Sequence, residues 1–98
     1  MEILKVEVKK TGSYGKAEYV YEGTEVKNAL KSDILSSQIK SKDYIVRFFV
    51  EVLDDVYVAS AKESYSSIEE ALDSMETVCV DEKLEKAIIE FIKRMLNV

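Results

Sequence analysis

Gly12-Ser13-Tyr14-Gly15-Lys16 has the residue types of a phosphate-binding loop, with glycines that let the backbone approach an anion and a lysine to neutralise it. That chemistry also needs a helix directly after the lysine, so that its first amides face the phosphate. Here Lys16 to Glu22 alternates instead, with Ala17, Tyr19 and Tyr21 on one side. The segment is therefore predicted to be a hairpin turn between two strands.

Asp54-Asp55, with Glu51 close in the chain, offers carboxylates to a cation. Divalent ions take several convergent oxygens, and a hairpin tip supplies few. The pair reads as a solvated turn.

Nucleophilic chemistry would fall to Cys79 or to the serines at 64, 66 and 67. The cysteine sits in Thr77-Val78-Cys79-Val80, an apolar setting that suits a buried structural thiol. As the only cysteine it makes no internal disulfide and no multi-cysteine metal site. Capping of the helix that follows accounts for the serines. Histidine is absent, which removes the commonest catalytic base and the commonest metal ligand. No catalytic residue, metal site or cofactor is expected, and the chain reads as a non-enzyme.

The elements that would position a binding surface are clearer than any catalytic group. Tyr44 to Leu53 is almost wholly aromatic or β-branched, and Val56 to Glu63 continues as a second strand after a turn at Asp54-Asp55. That turn sets Leu53 opposite Val56, Val52 opposite Tyr57, Val50 opposite Ala59 and Phe48 opposite Ala61. Directly opposed residues share a face. One face then carries Tyr44, Val46, Phe48, Val50, Val52, Tyr57, Ala59 and Ala61, a predicted core. The other carries Ile45, Arg47, Phe49, Glu51, Leu53, Val56, Val58, Ser60 and Lys62, a mixture of charge and apolar bulk.

Ahead of this hairpin, Met1 to Lys10 alternates with Leu4, Val6 and Val8 on one side and Lys5, Glu7 and Lys9 on the other. It pairs with the strand ending at Glu22 in a first hairpin. Thr24 caps a helix with Val26, Ala29, Leu30 and Ile34 at helical spacing, running to about Lys40. Ser66 with Glu69 has the form of a capping box, opening a helix that starts at Ser66 or Ser67 and runs to about Thr77. Asp81 caps a last helix over 81–97, with a stripe of Leu84, Ala87, Ile88, Phe91 and Met95 widened by Ile89, Ile92 and Leu96.

The expected fold is α+β, in the order ββαββαα, as a four-stranded, mainly antiparallel sheet with helices on one face. Residues 1–98 form one domain. A shift of 42 residues sets Val6 on Phe48, Val8 on Val50, Ala29 on Ala71 and Leu30 on Leu72. Two readings fit that overlap: repeat units 1–40 and 43–77 that duplicate a ββα motif, with 81–97 as an addition, or patterns alike only because strands alternate and helices are capped.

Charge bounds the partners. The formal net charge is -5, with net +2 over residues 1–49 (nine Lys/Arg, seven Asp/Glu) and net -7 over 50–98 (five against twelve). A protein that grips a nucleic-acid backbone broadly needs clustered cations, which this balance does not supply. No apolar run approaches the ~20 residues of a membrane span, and no leader precedes the first strand, so a cytoplasmic, membrane-free protein is expected. Abundant Lys and Glu with few Asn and Gln are compatible with a thermophilic source.

Three functions fit the surface. The preferred one is a small acidic interaction module that recognises a protein partner and self-associates as a homodimer through Ile45, Arg47, Phe49, Glu51, Leu53, Val56 and Val58, an apolar patch on a sheet face. The second is single-stranded nucleic-acid binding on the same face, with Phe49 stacking bases beside Arg47, Lys62, Lys5 and Lys9. The third is an acidic inhibitor or nucleic-acid mimic that presents Glu69, Glu70, Asp73 and Glu76 to a cationic partner.

Overall fold

A computed structural model describes residues 1–61, 66–78 and 80–97. Lys62, Ser64 and Cys79, each given a place above, lie outside the described residues. Among the described residues the fold is α+β, with an antiparallel sheet and four helices. The elements are β1 (Glu2–Lys10), β2 (Tyr19–Glu22), α1 (Glu25–Leu30), α2 (Asp33–Lys40), β3 (Tyr44–Val52), β4 (Asp55–Ala61), α3 (Ile68–Asp73), β5 (Glu76–Thr77) and α4 (Glu82–Met95). Among the described residues the sheet has five strands, not four, in the order β2-β1-β3-β4-β5.

β3 and β4 are the two strands of the predicted hairpin, with the turn one residue earlier. Leu53 and Asp54, not Asp54 and Asp55, are its central residues, and both have positive φ, 49° and 71°. That pair of angles matches the right-handed twist of the strands in a two-residue turn. The ladder runs Val46↔Ala61, Phe48↔Ala59, Val50↔Tyr57 and Val52↔Asp55. Each strand residue thus meets a partner two positions earlier than expected. A shift of two leaves every side chain on its predicted face.

β1 departs from simple alternation at its start. Its register against β3 slips between Ile3 and Lys5, so Ile3 pairs with Val50 while Val6 pairs with Phe48. The extra residue at Leu4 is a bulge, which turns Ile3 into the core and leaves Leu4 half-buried.

The single helix expected after β2 is two. Ser32 takes an extended conformation (ψ 135°), and its Oγ accepts a hydrogen bond from the Ile34 N–H at 3.1 Å, starting α2 with Asp33 in its first turn. Thr24 makes no side-chain cap, because its own backbone is already helical. α3 is capped by Ser67, whose Oγ accepts from the Glu70 N–H, and Ser66 instead donates to the Glu70 carboxylate. It ends at Asp73 rather than Thr77, since Glu76 and Thr77 pair with Ser60 and Ala59 as β5. α4 begins at its predicted cap, with Asp81 Oδ1 accepting from the Leu84 N–H at 2.7 Å.

Val6, Val8, Val46, Phe48, Val50 and Ala59 are wholly buried on one face of the sheet. Val26 and Leu30 of α1, Leu35 and Ile39 of α2, Leu72 of α3 and Ile88 and Ile92 of α4 join them in one cluster. Burying a side chain the size of Phe48 contributes about 3 kcal/mol. The inward stripe of α4 centres on Ile88, Ile89 and Ile92, whereas Ala87 and Met95, expected on it, are exposed. Among the described residues of the opposite sheet face, none is buried. All four helices thus contribute to the core on one side, and the other side of the sheet is open.

Candidate interaction surface

Alternation from the core residues fixes what the open face presents. β1 gives Lys5, Glu7 and Lys9; β3 gives Ile45, Arg47, Phe49 and Glu51; β4 gives Val56, Val58 and Ser60; β2 gives Val20 and Glu22. Six of the seven residues expected at an interface therefore share one surface. Leu53 does not lie in the ladder: it is a turn residue, almost fully exposed at 93%, and Val56 stands opposite Glu51 instead.

Two cations on this face stand opposite a carboxylate, whereas Lys9 stands opposite Ile45 and Glu51 opposite Glu2. Glu7 is directly opposite Arg47, and Glu22 directly opposite Lys5. Directly opposed residues of unlike charge attract across an antiparallel pair. The Lys5 ammonium also reaches Glu7 Oε1 at 3.8 Å and lies 4.4 Å from the centroid of the Phe49 ring. An ammonium over an aromatic face is held by the ring quadrupole. Alternation in the sequence places Glu7 on the polar side of β1 with Lys5 and Lys9, whereas Glu22 comes to this face only through the pairing of β2 with β1.

An apolar strip runs through these charges. Phe49 is opposite Val58, with Val56 one rung nearer the turn and Ile45 two rungs further along β3. Val56 is half exposed, and Ile45, Phe49 and Val58 are partly covered by their own neighbours. Arg47 and Ser60 share the rung between Ile45 and Phe49.

The acidic surface is divided. Glu69, Glu70 and Asp73 are exposed on α3, whereas Glu76 lies on β5 and not on that helix. Asp73 Oδ1 is 2.5 Å from Lys93 Nζ of α4, and Glu70 accepts from Ser66. Glu85 Oε2 takes two hydrogen bonds from Thr77, from the backbone N–H at 2.9 Å and from Oγ1 at 2.7 Å. The Thr77 hydroxyl first, then its amide, hold the Glu85 carboxyl below the ordinary range. Several of these carboxylates thus join helices and strand together.

The loop carrying Gly12 to Lys16 leads into β2 and not into a helix, and Gly12 takes positive φ (81°) in a turn closed by the Ser13 N–H on the Lys10 carbonyl. Among the described residues, no three of His, Cys, Asp and Glu converge on a point that would hold a metal ion. No helix among them is long and apolar enough to cross a membrane. No protein-family model matches the chain, and no curated protein or solved structure matches it either.

Proposed function

We propose that this chain is a non-catalytic interaction module that self-associates through the open face of its sheet, as a homodimer, and offers its remaining surface to a protein partner. The observation that carries the reading is the pairing of opposite charges around an apolar strip. A two-fold interface places the same patch against itself, so it must be self-complementary. A face holding Lys5, Lys9 and Arg47 beside Glu7, Glu22 and Glu51 meets that condition, and Ile45, Phe49, Val56 and Val58 supply the apolar area. Arg47 of one copy would meet Glu51 of the other.

The same arrangement weighs against single-stranded nucleic acid. Base stacking needs an open aromatic face, and Lys5 lies over Phe49. Phosphate binding needs cations in excess, and here Arg47 and Lys5 each stand opposite a carboxylate.

Light scattering across protein concentration, at low and high salt, tests the proposal on the natural chain and on Phe49→Arg. The expected result is a dimer that the substitution converts into a soluble, folded monomer. A natural chain that stays monomeric throughout would overturn the reading and make oligonucleotide binding, with Arg47→Ala as its control, the next measurement.

A further inference from the structure

The sheet ends at β2, with no strand beyond it among the described residues. Alternate residues of an edge strand turn their N–H and C=O groups away from the sheet, in a row that another extended backbone matches. This edge is uncovered: Tyr19, Val20 and Glu22 are exposed, the first two at 43% each.

On the helical side of β2 lies an open pocket of about 320 Å³. Tyr21, opposite the buried Val6 in the ladder, forms one wall. Glu25, Asn28 and Ala29 form another; at i, i+3 and i+4 they are one flank of α1. Ile34, 65% exposed at the start of α2, borders it as well. The other flank of α1, with Val26, Lys27 and Leu30, is turned to the start of β1 and to α4, so this pocket lies on the side of the edge strand.

The charge here is of one sign. Residues 17–25 hold Glu18, Glu22 and Glu25 and no lysine or arginine. None of the three carboxylates makes an ion pair among the described residues. Lys5 stands opposite Glu22, but its ammonium is turned to Glu7 and to the Phe49 ring. A second β2 laid along this edge would bring carboxylates to carboxylates, whereas a cationic strand would be matched.

We propose that β2 accepts an extended, basic segment of a protein partner as a sixth strand. The apolar side chains of that segment lie on Tyr21, Ala29 and Ile34, and its alternate lysines or arginines stand beside Glu18 and Glu22. In strand addition the main-chain hydrogen bonds supply affinity, and pockets for alternate side chains supply selectivity. The inference rests on the protein-partner half of the function proposed above and not on the homodimer.

The probe is an acetylated, amidated octapeptide of Val-Lys repeated four times, added to the ¹⁵N-labelled full chain at concentrations where the peptide is monomeric. Saturable amide shifts are expected at Tyr19 to Glu22, Ala29 and Ile34, with slower hydrogen exchange at alternate residues of β2. The same peptide N-methylated at its central valine and lysine loses one donor on each edge, and should bind about fivefold more weakly. Glu18→Gln with Glu22→Gln should also weaken binding about fivefold. A Val-Glu repeat should give no saturable shift. Absence of saturable shifts with the Val-Lys peptide, or shifts centred on Glu69, Glu70 and Asp73 of α3, would overturn the site. Equal binding of the N-methylated peptide would overturn strand addition, and equal binding of the Val-Glu repeat would overturn the basic partner. Light scattering on the same samples reports the homodimer separately: a monomer that takes the peptide leaves this site standing, and a dimer that ignores it removes this site alone.

Discussion

Along β3 the two faces of the sheet differ residue by residue. Val46, Phe48 and Val50 have no exposed surface, and Ile45, Arg47, Phe49 and Glu51 between them are only partly covered. The first set is fixed by volume: Val46 meets Ala61, Phe48 meets Ala59 and Val50 meets Tyr57 across the ladder, with helices above. The second set mixes charge with apolar bulk: Arg47 stands opposite Glu7 and Glu51 opposite Glu2, with Ile45 and Phe49 beside them. What folds the chain and what the chain offers to others are thus separated by a single step in sequence.

Removing the larger ring on each face gives the sharpest test of that separation. Phe48→Ala should destabilise by about 3–5 kcal/mol, through lost burial and the cavity left behind. Phe49→Ala should cost far less in the unfolding of the monomer, since its ring is already partly in water, and should act on self-association instead. Urea unfolding of both variants, with the oligomeric state measured alongside, checks the pair. Equal losses of folding stability would show that Phe49 also belongs to the core.

The facing of these residues was legible in the sequence because it depends only on parity. Moving the turn from Asp54-Asp55 to Leu53-Asp54 changed every partner in β3 and β4 and no face. The bulge at Leu4 was not legible, since Ile3-Leu4 offers two apolar residues and no local sign of which points inward. Nor was β5: two residues have no periodicity, and Glu76 and Thr77 become a strand only by pairing with β4 and by the Glu85 clamp. Ser32 could have been read, because a serine followed by an aspartate is a helix start, but the apolar spacing ran through it.

The turn between the two faces offers a smaller effect of opposite sign. Leucine at φ 49° is strained, because its Cβ crowds the backbone in the left-handed region. Replacing Leu53-Asp54 with Asn-Gly should stabilise the fold by about 1 kcal/mol, measured as a higher urea midpoint with unchanged slope. A lower midpoint would mean that the exposed Leu53 side chain makes a contact worth more than the strain.

The smallest effect is expected where the sheet meets α4. The Glu85 carboxyl titrates below its ordinary value, so its contribution to stability is present above the unfolded value and is lost as pH falls through the folded one. Glu85→Gln should lower stability slightly at neutral pH and flatten the acid limb, so that the variant and the natural chain converge at low pH. An unchanged acid limb would place the acid sensitivity elsewhere.

That clamp has a consequence for how far the sheet can grow. β5 covers only Ala59 and Ser60 of β4, and its two residues are too short to template a further strand. While Glu85 holds it in place, Ala59 and Ser60 are closed to edge-to-edge pairing, whereas Asp55 to Val58 have no strand beyond them among the described residues. Release of Thr77, by acid or by substitution, would lengthen that bare edge by the two residues β5 covers, so the hydrogen bonds that tie a helix to a strand also limit how much of β4 another strand could pair with.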